Sequence, residues 1–95
     1  MPALLVRHKV QDYATWKPIF DEHGTTRQAS GSRGSRLFRS ASDPNELVIL
    51  FDWDELDNAR QFAQSDDLRE TMQRAGVTDH PDIYFLEEIE AAPAK

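Results

Sequence analysis

An uninterrupted run of apolar residues at positions 47–51 (LVILF) restricts most strongly how this 95-residue chain can fold. Turn-forming residues (Ser42-Asp43-Pro44-Asn45) precede it, and Asp54 follows it closely. A short apolar run bounded in this way is typical of a β-strand, and we assign residues 46–53 to that strand. Because successive side chains of a strand point to opposite faces, this strand presents apolar groups to both faces of its sheet.

Three further strands are predicted. Residues 3–10 alternate in polarity, and the more apolar set, which we expect to face the core, is Leu4, Val6, His8 and Val10. Residues 36–40 predict a short strand after a Gly/Ser-rich loop at 29–35. Residues 83–90 predict the last strand.

A first helix is predicted over residues 12–28, with Asp12 as its N-cap. Its apolar stripe, at helical spacing, consists of Tyr13, Trp16, Phe20 and His23. Pro18 removes one backbone donor, so the regular helix either begins near Thr15 or bends near Pro18.

A second helix is predicted after Asp54 as N-cap, with a break and a new cap at Ser65 and an end at Gly76. The element order is then strand, helix, strand, strand, helix, strand. This order predicts an α+β, ferredoxin-like βαββαβ fold with a four-stranded antiparallel sheet and two helices on one face. Since the helices cover only one face, the other apolar face predicts a homodimer through the sheet.

Composition narrows the choice of partners and location. The net charge of −6 argues against nucleic acid and anionic membranes, which attract clustered Lys and Arg. The absence of cysteine removes thiolate chemistry and fits a reducing cytoplasm. The apolar stretch at the N-terminus is too short for a signal peptide or a membrane span. We expect one cytoplasmic domain, residues 1–95, with a flexible tail at 90–95.

His8 and His23 are the candidate catalytic residues, because an imidazole in a cleft can exchange protons near neutral pH. Each has a plainer interpretation. His8 is also compatible with a buried, hydrogen-bonded structural histidine. His23 is also compatible with a surface position near the last turn of the helix, where the dipole favours a cation.

The candidate substrate-binding residues are Trp16, Phe20, Trp53 and Arg36. The three aromatic residues are suited to form a wall for a flat substrate, or simply to pack in the core. Arg36 is suited to clamp a carboxylate. The alternative is that the arginine-rich stretch (Arg27, Arg33, Arg36 and Arg39) is solvated or pairs with acidic residues of a partner chain.

Metal binding is not expected from this sequence. The chain has three histidines, at positions 8, 23 and 80, and their isolated positions match no metal-ligand spacing.

Several segments together are similar to a known superfamily. They are Asp12-Tyr13-x-x-Trp16-x-x-x-Phe20-Asp21-Glu22-His23, Phe51-Asp52-Trp53-Asp54, Ala59-x-x-Phe62, and Ala75-Gly76-Val77 before Pro81. Over residues 4–90 the chain resembles the dimeric α+β barrel superfamily. That superfamily includes antibiotic-biosynthesis monooxygenase-like proteins, small cyclases, muconolactone isomerase-like enzymes and stress-responsive barrel proteins.

The resemblance implies two ferredoxin-like units with their sheets face to face, each with a ligand cleft between its own sheet and helices. It implies cofactor-free monooxygenation, ring isomerisation or haem degradation as chemistries. The haem-degrading branch uses an asparagine on its first strand, and Val6-Arg7-His8-Lys9 contains none. This difference counts against haem. No cofactor is expected for this chain.

Two functional hypotheses follow. The first is a cofactor-independent monooxygenase, isomerase or cyclase acting on a small aromatic or polyketide-like compound, with His8 as the acid or base. The second is a non-catalytic dimeric binding or stress-responsive module. The second is compatible with the lack of an unambiguous catalytic motif, and the fold alone does not decide between them.

Overall fold

A four-stranded antiparallel sheet organises the computed structural model, which describes residues 1–93. The strands are β1 (Pro2–Lys9), β2 (Ser32–Arg39), β3 (Glu46–Trp53) and β4 (Asp82–Glu87). Their order across the sheet is β2-β3-β1-β4, with β3 and β1 in the centre. The predicted α+β, ferredoxin-like arrangement is therefore confirmed.

Each predicted helix is divided into two shorter helices. The first pair is α1 (Tyr13–Glu22) and α2 (Gly24–Ser30), and the second pair is α3 (Leu56–Ala63) and α4 (Asp66–Arg74). α1 begins at Tyr13, two residues before the start considered near Thr15, and Pro18 lies inside it. The division into two helices falls at His23 rather than at Pro18. The predicted new cap at Ser65 is confirmed, since Ser65 Oγ accepts a hydrogen bond from the Leu68 amide at 3.1 Å.

The predicted caps of the other helices are partly corrected. Asp12 is the N-cap residue of α1, but its carboxylate accepts from the Thr15 hydroxyl at 2.9 Å and makes no cap bond to a backbone amide. Glu55, not Asp54, is the N-cap residue of α3. Asp54 Oδ1 instead accepts from the Glu55 amide at 2.6 Å and from the Asn58 side chain at 3.2 Å.

Two strands differ in length from their predictions because pairing, rather than local sequence, sets where they end. β2 begins at Ser32, inside the predicted loop, because Ser32 pairs with Trp53 of β3. β4 ends at Glu87 because Glu87 pairs with Pro2, the first residue of β1. The predicted tail at 90–95 reaches past the described residues, since positions 94 and 95 lie outside them.

The inner face of the sheet, packed against the helices, carries the core. The predicted inward set on β1 is buried, and β3 adds four buried residues, Leu47, Ile49, Phe51 and Trp53. Their neighbours on β3, such as Val48 and Leu50, point to the other face and are half-buried. The alternation predicted for this strand is thus confirmed.

The outer face of the sheet carries an apolar patch. It consists of Leu5, Phe38, Val48, Leu50, Tyr84 and Leu86, which the strand register places on one side. Phe38 and Tyr84 are 44% and 53% exposed in the single chain. Beside the patch, Arg7 forms ion pairs with Glu46 at 2.8 Å and Asp79 at 3.0 Å.

Within residues 1–93, none of the helices has the length and apolar character needed to cross a membrane.

Candidate functional site

A small cavity lies between the inner face of the sheet and the helices, with a volume of about 50 Å³. Its walls are mainly apolar, and the polar or charged side chains among its lining residues are His8, His23, Arg27 and Thr71. A volume of this size holds water molecules or dioxygen. Ligand sites for drug-sized molecules usually measure about 300–1,000 Å³. A larger ligand therefore requires the walls to move.

β1 places His8 on the cavity wall, because the alternation that buries Leu4 and Val6 also turns the imidazole inward. His8 is 3% exposed, and its ring centroid lies 5.8 Å from that of Trp16 in an edge-to-face arrangement. Its buried Nδ1 has no hydrogen-bond partner among the described residues. Burial lowers the pKa of His8 below its usual value. The neutral imidazole, which can accept a proton, is therefore favoured at neutral pH.

His23 lies at the junction of α1 and α2, and it also lines the cavity. Its side chain is 7% exposed, so the surface position considered for it does not occur. His23 Nε2 lies 2.6 Å from Asp67 Oδ2 on α4. The imidazole ring also packs against Phe62 at a centroid distance of 5.9 Å. The hydrogen bond to Asp67 holds this ring in position at the cavity wall.

Trp16 and Phe20 form an aromatic wall on α1. Their rings are stacked with centroids 4.7 Å apart, and Phe20 contacts Phe51 on β3 at 6.2 Å. The stripe predicted for the first helix therefore faces the cavity. Aromatic faces in this arrangement suit a flat ligand, although the same rings also contribute to the core.

Trp53 and Arg36 do not line the cavity. Trp53 is fully buried beside it, donates its Nε1–H to the Ser30 carbonyl at 3.2 Å and packs on Phe62. Arg36 pairs with Leu50 across the strands and therefore points to the outer face, where its guanidinium lies 5.1 Å from the Phe38 ring. Neither residue lines the cavity within this chain.

Sequence reasoning missed two residues near the site, Arg27 and Asp67. Arg27 was grouped with the solvated arginines, yet it is buried and lines the cavity. The signal was present, since Trp16, Phe20, His23 and Arg27 continue one helical stripe with spacings of four, three and four. Asp67 lies 44 positions from His23, and the sequence gives no sign of their contact.

Metal ligation has no ready-made site in the described part of the chain. No group of three or more His, Cys, Asp or Glu side chains there is placed to hold an ion. His80 is exposed, with its Nδ1 3.1 Å from the Pro81 carbonyl.

The fold of this chain is similar to that of several solved structures. Neither a protein-family model nor a curated protein matches the sequence. An antibiotic biosynthesis monooxygenase-like protein of Bordetella bronchiseptica is similar in structure, with a TM-score of 0.78 and 20% identity over 94% of this chain and 97% of that one. SnoaB, a cofactor-independent oxygenase from Streptomyces nogalater, gives a TM-score of 0.77 and 15% identity over 98% and 97% of the two chains.

A third similar structure is an antibiotic biosynthesis monooxygenase-like protein of Caulobacter crescentus, with a TM-score of 0.73 and 18% identity over 94% of this chain and 90% of that one. These identities are low, and it is the backbone arrangement, matched almost end to end, that the proteins share. The chain therefore has the ferredoxin-like α+β fold of the antibiotic biosynthesis monooxygenase-like proteins.

Proposed function

We propose that this protein is a cofactor-independent monooxygenase that acts on a small aromatic or polyketide-like compound in the cleft between sheet and helices. One observation carries the proposal. His8 is a buried imidazole on an aromatic-lined cavity, with an unpartnered Nδ1 and a lowered pKa. The structural similarity to SnoaB, a cofactor-independent oxygenase, adds support from the fold.

A monooxygenase that works without a cofactor needs another source of electrons for dioxygen. The substrate itself must then supply the electrons that reduce dioxygen, so it must be an electron-rich carbon acid, such as a phenolic anthrone. His8 accepts a proton from the reacting carbon, and the resulting carbanion reduces dioxygen by forming a C–O bond to it. The peroxide anion takes the proton back from His8, which gives a carbon-bound hydroperoxide. Loss of water leaves a carbonyl group, so that the methylene carbon and O₂ give C=O and H₂O. His8 acts as general base in the first step.

A second candidate is the non-catalytic dimeric binding or stress-responsive module. The volume of about 50 Å³ favours it, because Trp16 and Phe20 already occupy much of the space that a substrate needs. The two candidates differ in whether the aromatic wall opens for a ligand.

The test uses 1,8-dihydroxyanthrone, a flat tricyclic phenol with an acidic methylene group. Catalysis predicts dioxygen consumption and formation of 1,8-dihydroxyanthraquinone faster than in buffer. His8→Gln should lower this rate by about 10²-fold, the usual contribution of a general base. His80→Gln is the matched control, since it removes an exposed imidazole and should leave the rate unchanged.

Two results would contradict the proposal. One is a rate of anthrone oxidation no higher than that in buffer. The other is an equal rate for the wild-type protein and a folded His8→Gln variant. Either result would favour the non-catalytic module.

The homodimer belongs to the same proposal, with a second copy of this chain as the occupant of the outer sheet face. The patch is apolar in its centre, and its rim carries both signs of charge. Arg7 pairs there with Glu46 and Asp82, and Arg36 lies on the edge strand β2. In a two-fold symmetric dimer the same surface of both copies meets, so positive groups of one copy can contact negative groups of the other. A stable pair usually buries about 1,200–2,000 Å² in total.

A further inference from the structure

Arg27 is a cation buried against aromatic rings. The residue lies on α2 and is 9% exposed. Its Nη1 donates to the Phe20 carbonyl at 2.8 Å. Its guanidinium carbon lies 3.9 Å from the Phe20 ring centroid and 5.6 Å from that of Phe51. Among residues 1–93, no carboxylate lies within ion-pair distance of it, and Asp21 favours its charge only from farther away.

This arrangement leaves most of the hydrogen-bonding capacity of Arg27 unused. A guanidinium has five N–H donors and stays charged in proteins, and the described residues account for one donated bond. Burial of an unpaired charge is costly, and stacking on aromatic faces compensates it only in part. An oxygen anion, accepted in the bidentate geometry that guanidinium favours, would satisfy the remaining donors.

Arg27 also lies between the apolar cavity and a polar surface groove. On one side it lines the apolar cavity that contains His8 and the aromatic wall. On the other side it lines a polar groove of about 370 Å³ between α2 and the start of β2. The groove also includes Gly24, where a β-carbon would lie 3.3 Å from Arg27 Nη2. Glycine at this position leaves room for the guanidinium.

We propose that Arg27 is the anion-recognition residue of this cleft, and that the ligand is a flat aromatic molecule bearing an oxygen anion conjugated to its ring. The aromatic part would face the Trp16–Phe20 wall, and the anionic oxygen would bind the guanidinium at the groove. The inference rests on the proposed ligand cleft, but it does not depend on turnover.

The test compares salicylate with salicylamide, which has nearly the same shape and no carboxylate. Binding is followed by NMR titration of the ¹⁵N-labelled protein. Wild type should bind salicylate at least about tenfold more tightly than salicylamide, as expected for a charged pair worth about 1.4 kcal/mol. Arg27→Met, which keeps the length of the apolar stem, should abolish this preference.

Arg36→Met is the matched control, because it removes the same charge from the outer face of the sheet and should keep the preference. Wild type supplies a readout that does not depend on a variant. The Arg27 side-chain Nε resonance should shift with salicylate and not with salicylamide.

The possible failures are distinguishable. Equal binding of the two probes by wild type, or a salicylate shift at Arg36 in place of Arg27, would overturn the role of Arg27 and leave the cleft standing. Binding of neither probe would overturn the cleft and the role of Arg27 together. Loss of folding in Arg27→Met leaves the wild-type comparison and the Nε shift to decide the matter.

Discussion

His23 Nε2 lies 2.6 Å from Asp67 Oδ2, and this hydrogen bond joins the α1–α2 junction to the first turn of α4. The two residues are 44 positions apart in the sequence. The imidazole is buried and the carboxylate is 61% exposed, so the contact closes the cavity wall at its boundary with solvent.

Removal of this hydrogen bond should destabilise the fold modestly. Asp67→Ala leaves a buried imidazole without its partner, and we expect a loss of about 1 kcal/mol in the free energy of unfolding, since the carboxylate is largely solvated. Asp66→Ala is the control, because Asp66 is in the same helical turn and pairs with the exposed Arg69. Urea unfolding measures both variants, and equal losses would show that the contact contributes nothing.

Stability should fall on mild acidification because of His8. Burial lowers its pKa in the folded state below 6.5, so protons bind the unfolded chain more readily. The neutral His8 imidazole makes its full contribution to the free energy of unfolding above pH 6.5. This contribution is lost as the pH falls from there through the pKa of His8 in the folded state. When the pH is lowered from about 7.5 to about 5.5, the midpoint temperature of thermal unfolding should therefore fall further for wild type than for His8→Gln. Parallel profiles for the two proteins would refute this assignment.

A charge on the outer sheet face should disrupt the proposed dimer. Leu50→Lys places an ammonium group in the centre of the apolar patch, where a second copy would have to desolvate it. We expect a shift from dimer to monomer, or loss of folding, in sedimentation at micromolar concentration. Gln73→Lys, on an exposed position of α4, should stay dimeric. Sedimentation of the wild-type protein as a folded monomer would contradict the proposed dimer.

Gly31 should tolerate alanine poorly. Its φ of 122° is strained for other residues, and a β-carbon there would lie 2.7 Å from Trp53 Nε1 and still closer to Asp54 Oδ1. Gly34 also has a positive φ, 152°, but a β-carbon there meets nothing within 4 Å. We expect Gly31→Ala to cost roughly 1–3 kcal/mol more than Gly34→Ala in the free energy of unfolding. Similar losses of unfolding free energy in the two variants would contradict the prediction, because the positive φ alone would then explain them.

Much of the fold was predictable because each element carries its own periodicity. The alternation of Leu4, Val6 and His8 and the apolar run at 47–51 identified the two central strands and their inner faces. The helical stripe through Trp16, Phe20 and His23 identified the face that meets the sheet. In both cases the spacing of side chains along one element fixes the direction in which they point.

Strand ends were harder to predict, because a strand continues only while a neighbour pairs with it. The Gly/Ser-rich segment before Arg36 has little intrinsic preference for a strand, yet β3 extends it back to Ser32 by hydrogen bonding. The last strand stops at Glu87 for the opposite reason, since its partner β1 begins at Pro2.

The sequence by itself determined which residues share a face, including the placement of His8 among inward-facing apolar residues. Only the tertiary structure decided that Arg27 is buried while Arg36 is exposed, and that Asp67 meets His23. Periodicity describes one element at a time, whereas burial and side-chain pairing depend on which other elements pack over that face. For that reason the composition of the cavity wall could be read only from the packed helices and sheet.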